Sequence, residues 1–258
     1  MTNKQLDRLA PLAMFFALML AWEIICVGFD VPSFVLPAPS EIFAAIVGNL
    51  YVIWFHSSQT LLTTLCGFAL AVAFGAALGV LVGSSRLAYS SLYPILIGFN
   101  SVPKVAIVPV LVVWFGIGAV PAILTAFMLS FFPIAVNVAT GLATVEPELR
   151  DVLRSLGASQ LDVVRKVGIP RSLPYFFASL KISITLAFVG SVISETLASN
   201  RGIGTLMMQA SANFKIPLVF AGLAVIAVMG IAMYAIFAVL EKRMTGWATR
   251  ETNFGIGG

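Results

Sequence analysis

The sequence predicts an all-α integral membrane protein of about six transmembrane helices. Three observations point there: a composition too apolar for a soluble surface, apolar runs of membrane-spanning length, and Lys and Arg residues gathered in alternate loops. Hydrophobic residues make up 60% of the 258 and charged residues 10%, and the mean hydropathy is +1.02. Fifteen basic and eleven acidic side chains cannot cover the surface of a 27.4 kDa globule, so the bilayer must be the main solvent. At roughly 20 apolar residues per span, six helices use about half the chain and leave the rest for ends and loops. The net charge of +4 then reflects topology and is no signal for nucleic acid. Cys26 and Cys66 both lie in apolar stretches, which indicates neither a disulfide framework nor a metal site.

The first span is expected over residues 9–29. Lys4 and Arg8 precede it as in a secretory signal, but no small-x-small cleavage site follows and Glu23 interrupts its far end, so it reads as an uncleaved helix. In residues 31–43, Pro32, Pro37 and Pro39 forbid a regular helix, and the apolar stretch that follows, ending at Trp54, is too short to span and reads as interfacial. Further spans are expected over 59–83, 92–116, 119–143, 175–198 and 217–240, in a single transmembrane domain covering 1–258. Within the second span Gly75, Gly79 and Gly83 recur every four residues and line a face along which another backbone can come close, either in this chain or in a second copy.

Orientation follows from the cations. With the amino terminus inside, the cytoplasmic side holds Lys4, Arg8, Arg86, Arg150, Arg154, Arg165, Lys166, Arg171, Lys242, Arg243 and Arg250, which leaves only Arg201 and Lys215 outside and Lys104 and Lys181 in or beside spans. Both termini are therefore expected in the cytoplasm. Trp54 and Trp114 fall where the outer interface should be, and Trp247 just past the last span.

The longest polar excursion, residues 145–174, joins spans four and five. Pro147 suits a first helical position, Glu146 and Glu148 suit the positive end of a helix dipole, and Leu149, Val152, Leu153 and Leu156 follow with helical periodicity. Gly157 is placed to end that helix in a left-handed turn, and Ser159 with Asp162 forms a capping box for a second helix running through Val167, which Ile169-Pro170 closes. Periodicity alone favours a loop resting its apolar face on the membrane; the spacing of its residues says more. Asp151-Val152-Leu153, three residues, Gly157, nine residues, then Val167-Gly168-Ile169-Pro170 resembles the E-A-A, x3, G, x9, I-x-L-P loop of binding-protein-dependent ABC importer permeases. Gly157 and Pro170 keep register, while Asp stands for Glu and Val-Leu for Ala-Ala at the front.

The resemblance extends to residues 36–43 (LPAPSEIF), 60–83, 102–118 (VPKVAIVPVLVVWFGIG) and 194–207 (SETLASNRGIGTLM), which are similar to the sulfonate, taurine, nitrate and pyrimidine-precursor branch of that family. The family implies a permease subunit in the bacterial cytoplasmic membrane that imports a small solute by alternating access. It also implies a second permease copy, two cytoplasmic ATPase subunits carrying ATP and Mg, and an outer solute-binding protein. No G-x-x-x-x-G-K-[ST] occurs, so the chain should bind no cofactor itself and hydrolyse no ATP. His56 has no companion ligands at metal spacing. An ion-gradient-driven secondary transporter is the alternative, disfavoured by the lack of repeated broken helices and by the elaborate loop. A membrane-embedded enzyme lacks a nucleophile, metal or acid–base constellation.

The loop residues Leu149, Arg150, Asp151, Val152, Leu153, Arg154, Leu156, Gly157 and Pro170 are assigned to coupling with the ATPase. Charged and amide side chains in spans are costly and need protein, water or an interface. Lys104, Asn100 and Asn137 are accordingly candidates for the solute path. Glu195 is expected to hydrogen-bond the Asn200-Arg201-Gly202 turn on the outer side, or with Arg201 to meet a partner there. Lys181 lies near enough to the inner surface to snorkel.

Overall fold

The computed structural model describes residues 3–144 and 147–245, with the side chains of residues 3–9, Pro147, Arg150 and Gln160 outside the description. Glu146, Trp247 and Arg250 likewise lie outside the described residues. Every described regular element is a helix: α1 (Asn3–Gly28), α2 (Pro39–Gly48), α3 (Leu50–Gly83), α4 (Arg86–Ser101), α5 (Val108–Phe115), α6 (Ala119–Ala143), α7 (Pro147–Ser155), α8 (Gln160–Val163), α9 (Ile169–Ala198), α10 (Ile203–Ala212) and α11 (Ile216–Thr245). A 3₁₀ turn, Lys104–Ile107, precedes α5, and a π turn, Val164–Gly168, precedes α9. Five helical segments are long and apolar enough to cross a membrane, and α4 with α5 makes a sixth if that bent pair counts as one span.

The elements depart from expectation where proline acts. The predicted span 92–116 is broken at Pro103, its two halves bent by 72°. Val102 precedes Pro103 and takes an extended backbone, ψ 130°, so α4 must stop there. Pro39 does not forbid a helix but begins one: it occupies the first turn of α2, where its missing N–H costs nothing, and Glu41 Oε2 accepts from the Ala38 N–H at 3.1 Å. The stretch expected to lie at the interface up to Trp54 is instead α2 and the first turn of α3, parted only at Asn49. With 34 residues, α3 is about 51 Å long at 1.5 Å per residue, well beyond the hydrocarbon thickness. Span five begins at Ile169, not 175, and Pro170 does not close the preceding helix. The Ile169 N–H reaches back to the Val164 carbonyl, a π turn that widens the chain just ahead of Pro170 and lets it run on into α9.

At the centre, α3 packs on α6 and α6 on α9. The expected glycine stripe is longer than Gly75, Gly79 and Gly83: Gly67 and the fully buried Ala71 continue it, and all of it faces this chain's own α6. A Cβ at Gly79 would lie 2.6 Å from Val138 Cβ and 2.7 Å from the Ala135 carbonyl; one at Gly75 would lie 2.7 Å from the Phe131 carbonyl. The close approach left open between two partners is thus intramolecular. On its other side α6 meets α9 at Gly141, against Ser172, and at Gly190, against Ala126 and the Thr125 carbonyl. Phe68, Ile134, Val138, Leu142, Ile184 and Phe188 fill the layer between. A second cluster gathers Ile42 of α2, Ile53 of α3, Ile203 and Leu206 of α10 and Ala221 of α11, with Trp22 of α1 against it.

The glycine seam makes a direct prediction. Gly79→Val puts methyl groups where no space exists, and overpacking of this kind costs about 1–3 kcal/mol. A lower thermal midpoint in detergent is expected. Gly98→Val in α4, where a Cβ would meet nothing within 4 Å, should leave the midpoint nearly unchanged.

Candidate functional site

The segment joining α6 to α9 is built from local signals that agree. In α7, the Gly157 N–H donates to the Arg154 carbonyl at 2.9 Å and the Ala158 N–H to the Leu153 carbonyl at 3.0 Å, the paired bonds of a Schellman stop. Gly157 takes φ +86°, a conformation in which a β-carbon is strained. Two residues on, the capping box is complete: Asp162 N–H donates to Ser159 Oγ and Ser159 N–H to Asp162 Oδ2, both at 3.2 Å. Lys166 Nζ lies 3.4 Å from Asp162 Oδ1. The result is a helix, glycine turn and second helix with fixed geometry.

Within it Val152, Leu156 and Leu161 are exposed, Leu149 and Leu153 half-buried, and Asp151, Arg154 and Gly157 exposed. The Arg150 side chain lies outside the described residues. The apolar stripe predicted along α7 is therefore only partly covered by this chain. Pro170, assigned with these residues, sits apart from them in the first turn of α9.

At the opposite end of α9, Glu195 is 1% exposed and stands at the centre of a polar knot. Its Oε2 accepts from Thr60 Oγ1 at 2.8 Å and from the Gly204 N–H at 3.3 Å, and its Oε1 accepts from Thr63 Oγ1 at 3.3 Å. Thr60 Oγ1 accepts from the Ile203 N–H at 2.9 Å. His56 Nδ1 lies 2.9 Å from the Gly202 carbonyl and 3.1 Å from its N–H. The carboxylate and Thr60 thus cap the start of α10 and tie it to α3 and α9. Gly202, φ +121°, has no room for a side chain because the Glu195 carboxyl fills the place. Glu195 bonds Gly204 and the α3 threonines, where the sequence pointed to residues 200–202. Sequence reasoning missed Thr60 and Thr63, and found for His56 only that it lacks metal companions, whereas it is buried in the knot. A signal was present: counting back from Gly67 by four, three and four residues along one helix face gives Thr63, Thr60 and His56, which carry the glycine stripe on toward the start of α3.

Lys104 and Asn100 are brought together at the bend between α4 and α5. Lys104 is buried, with its Nζ 2.6 Å from Asn100 Oδ1, 3.3 Å from the Asn100 carbonyl, and 5.9 Å from the ring centroid of Phe132 on α6. Asn137, half-buried on α6, donates to the Pro133 carbonyl of its own helix at 2.8 Å. Lys181 pairs with Glu241 of α11, both side chains partly exposed. Glu23 accepts from the Ser40 backbone at 3.0 Å and from Ser40 Oγ at 2.7 Å, at the start of α2. Arg201 stacks on Phe55 with its guanidinium carbon 4.9 Å from the ring centroid.

Residues 71–246 match the family described as the binding-protein-dependent transport system inner membrane component, which is more than half of the chain. The chain belongs to this family. It is a permease subunit of an ABC importer, a multi-pass inner-membrane protein, and the ion-gradient alternative falls with that membership. A formylaminopyrimidine transport permease of Halalkalibacterium halodurans is 28% identical over 96% of the permease and 100% of its own length. A taurine transport permease of Escherichia coli is 31% identical over 76% of the permease and 71% of its own length. Among solved structures, inward-facing MetNI methionine ABC transporter is similar with a TM-score of 0.65 at 19% identity, covering 76% of the permease and 95% of that chain. At that identity the likeness is one of fold.

The knot at Glu195 predicts a ranked pair of variants. Glu195→Ala strands the Gly204 N–H in a buried site and leaves Thr60 and Thr63 only the backbone carbonyls of α3 to donate to; a stranded group of that kind costs about 1–3 kcal/mol. Glu195→Gln keeps an acceptor oxygen. The detergent melting midpoint should fall in the order native, Glu195→Gln, Glu195→Ala; equal midpoints for all three would show that the carboxylate does not hold α10 in place.

Proposed function

We propose that this permease imports a small solute received from an outer binding protein, with α7 and α8 as the element that carries force from a separate cytoplasmic ATPase. One observation carries the reading: a stiff helix–turn–helix presents apolar side chains outward and runs through a π turn into α9, which reaches the Glu195 knot at the far end. A short element whose central turn is held by a helix stop and a capping box transmits displacement where a flexible loop absorbs it. The permease itself then needs no cofactor, because ATP and Mg belong to the ATPase, and it performs no chemistry of its own.

In this reading both termini and the α7–α8 module lie in the cytoplasm, as the distribution of Lys and Arg supports. Leu149, Val152, Leu153 and Leu156 fill a cleft on the ATPase, Arg150, Asp151 and Arg154 ring it, and Gly157 sets the angle between the helices. Two permease copies face each other with two ATPase subunits below, since one copy supplies half of a central path. Lys104 and Asn100 stand on that path at the bend of α4 and α5, where a buried ammonium has a neutral amide for its near partner, and Asn137 is the further candidate.

Two experiments test the reading. A cysteine at Ser159 should react with a membrane-impermeant thiol reagent only from the cytoplasm, and one at Ser33 only from outside; the reverse pattern would overturn the topology. Gly157→Val, in a position with open space but φ +86°, should cost on the order of 1 kcal/mol or more locally and turn α8 to a wrong angle. Assembly with the ATPase and six-span insertion should survive, uptake should fall severalfold relative to ATP hydrolysis, and Gly157→Ala should lie between. Full uptake by Gly157→Val would return α7–α8 to a membrane-surface element.

A further inference from the structure

Beside the Glu195 knot lies a cavity of about 250 Å³ lined by Gln59, Gly118, Ala119, Ser199, Asn200 and Arg201. Its walls come from α3, from the start of α6 and from the turn between α9 and α10. No acidic residue lines it, and Arg201 makes no ion pair among the described residues. The three glutamates on this side of the molecule are spent internally, Glu23 on Ser40, Glu41 on Ser33 and Ala38, and Glu195 on Thr60, Thr63 and Gly204, while the exposed Asp30 and Lys215 do not line the cavity. Arg201 is held in place without a carboxylate. Its side chain stacks on Phe55, its carbonyl accepts from Ser199 Oγ at 2.7 Å, and the adjacent Gly202 is fixed by His56. The cavity therefore offers a positioned guanidinium and two side-chain amides, those of Gln59 and Asn200, with no anion of this chain to satisfy them.

We propose that this cavity is the receptor for an aspartate or glutamate side chain of the outer solute-binding protein. The inference builds on the importer reading above and adds to it the place and the chemistry of docking. Three features select this occupant. Gln59 stands 24 residues before Gly83, about 36 Å along α3, so the cavity opens beyond a hydrocarbon layer of about 30 Å, in water where a soluble partner can reach it. Its volume is below the range of about 300–1,000 Å³ of small-molecule sites and accepts one side chain. A planar guanidinium with flanking amide donors matches a carboxylate in charge and in geometry. Because the turn carrying Arg201 is bonded to the carboxyl end of α9, an occupied cavity also bears on the helix that continues into α8. Docking outside and the ATPase element inside thus address opposite ends of one helix.

The test uses the complete importer in nanodiscs with the binding protein that restores solute-dependent ATP hydrolysis to it, titrated at low and high salt. In Arg201→Glu the half-saturating concentration of binding protein should rise at least tenfold, with Arg201→Lys and Gln59→Leu between it and the native protein. The native half-saturating concentration should rise with salt, and that salt dependence should vanish or invert in Arg201→Glu. Lysine substitution of one surface carboxylate of the binding protein should restore tight docking to Arg201→Glu. An unchanged half-saturating concentration in Arg201→Glu overturns the proposal. So does a lower maximal uptake at unchanged half-saturation, which would assign the cavity to the solute. Failure of the native complex to couple ATP hydrolysis to uptake would instead strike the importer reading itself.

Discussion

The contact between α3 and α6 is the constraint on which the rest of this molecule depends. Lipid offers no hydrophobic drive for helix association, since a chain leaving hydrocarbon for a helix surface gains nothing by changing solvent. What remains is dispersion and close backbone approach, and both require small residues in register. Gly67, Ala71, Gly75, Gly79 and Gly83 supply that register over four turns and more, against Ala126, Ala135 and Ala139 on α6. The second face of α6 repeats the device toward α9 with Gly141 and Gly190. Because α6 is shared, α3 and α9 are fixed relative to each other, and only then do Thr60 and Thr63 of one come within bonding distance of Glu195 of the other.

The end of the bundle that holds α2 and α10 shows how a membrane protein uses carboxylates it can ill afford. Glu23 and Glu195 each sit in a long apolar helix, and each turns its oxygens to the amino end of a short helix nearby, Glu23 to α2 through Ser40 and Glu195 to α10 through Gly204. An amino end presents unpaired N–H groups and a partial positive charge, so it suits an anion as a lysine would while leaving the net count of buried cations unchanged. Glu41 does the same within its own helix. The short helices use these acids because neither N-cap residue, Ala38 or Gly202, has a side-chain acceptor to offer.

Much of this was legible in the sequence, and the boundary is a matter of range. The α7–α8 module was read closely because its signals are local: the stop at Gly157 and the box at Ser159–Asp162 are each made within a few residues. The glycine stripe showed that α3 had a close partner but not which one, since the matching small residues of α6 lie some sixty residues away and carry no mark of their identity. Prolines misled in both directions. Pro39 and Pro170 were read as breakers and serve as starters, while Pro103 breaks a span read as whole. The difference lies in the neighbouring residues, an acidic third position after Ala38 and a π turn before Ile169 that no composition rule announces. The Glu195 knot was half read: its acid is conspicuous in an apolar run, but its partners His56, Thr60 and Thr63 lie more than 130 residues earlier.

The same packing restricts how such a permease can move. A seam in which added β-carbons would lie 2.5–3.0 Å from the facing helix has two options, intact or open, and no gradual slide between them. For alternating access, α3, α6 and α9 must therefore travel as one body. The compliant parts are those without the seam: α1, whose apolar surface is largely exposed, and the bent pair α4–α5, broken at Val102-Pro103 and pinned to α6 near Lys104 by Phe132. A rigid trio carrying the α7–α8 module at one end and the Arg201 turn at the other, flanked by a jointed pair, places the flexibility beside the proposed path and keeps the line between the two proposed partner sites stiff.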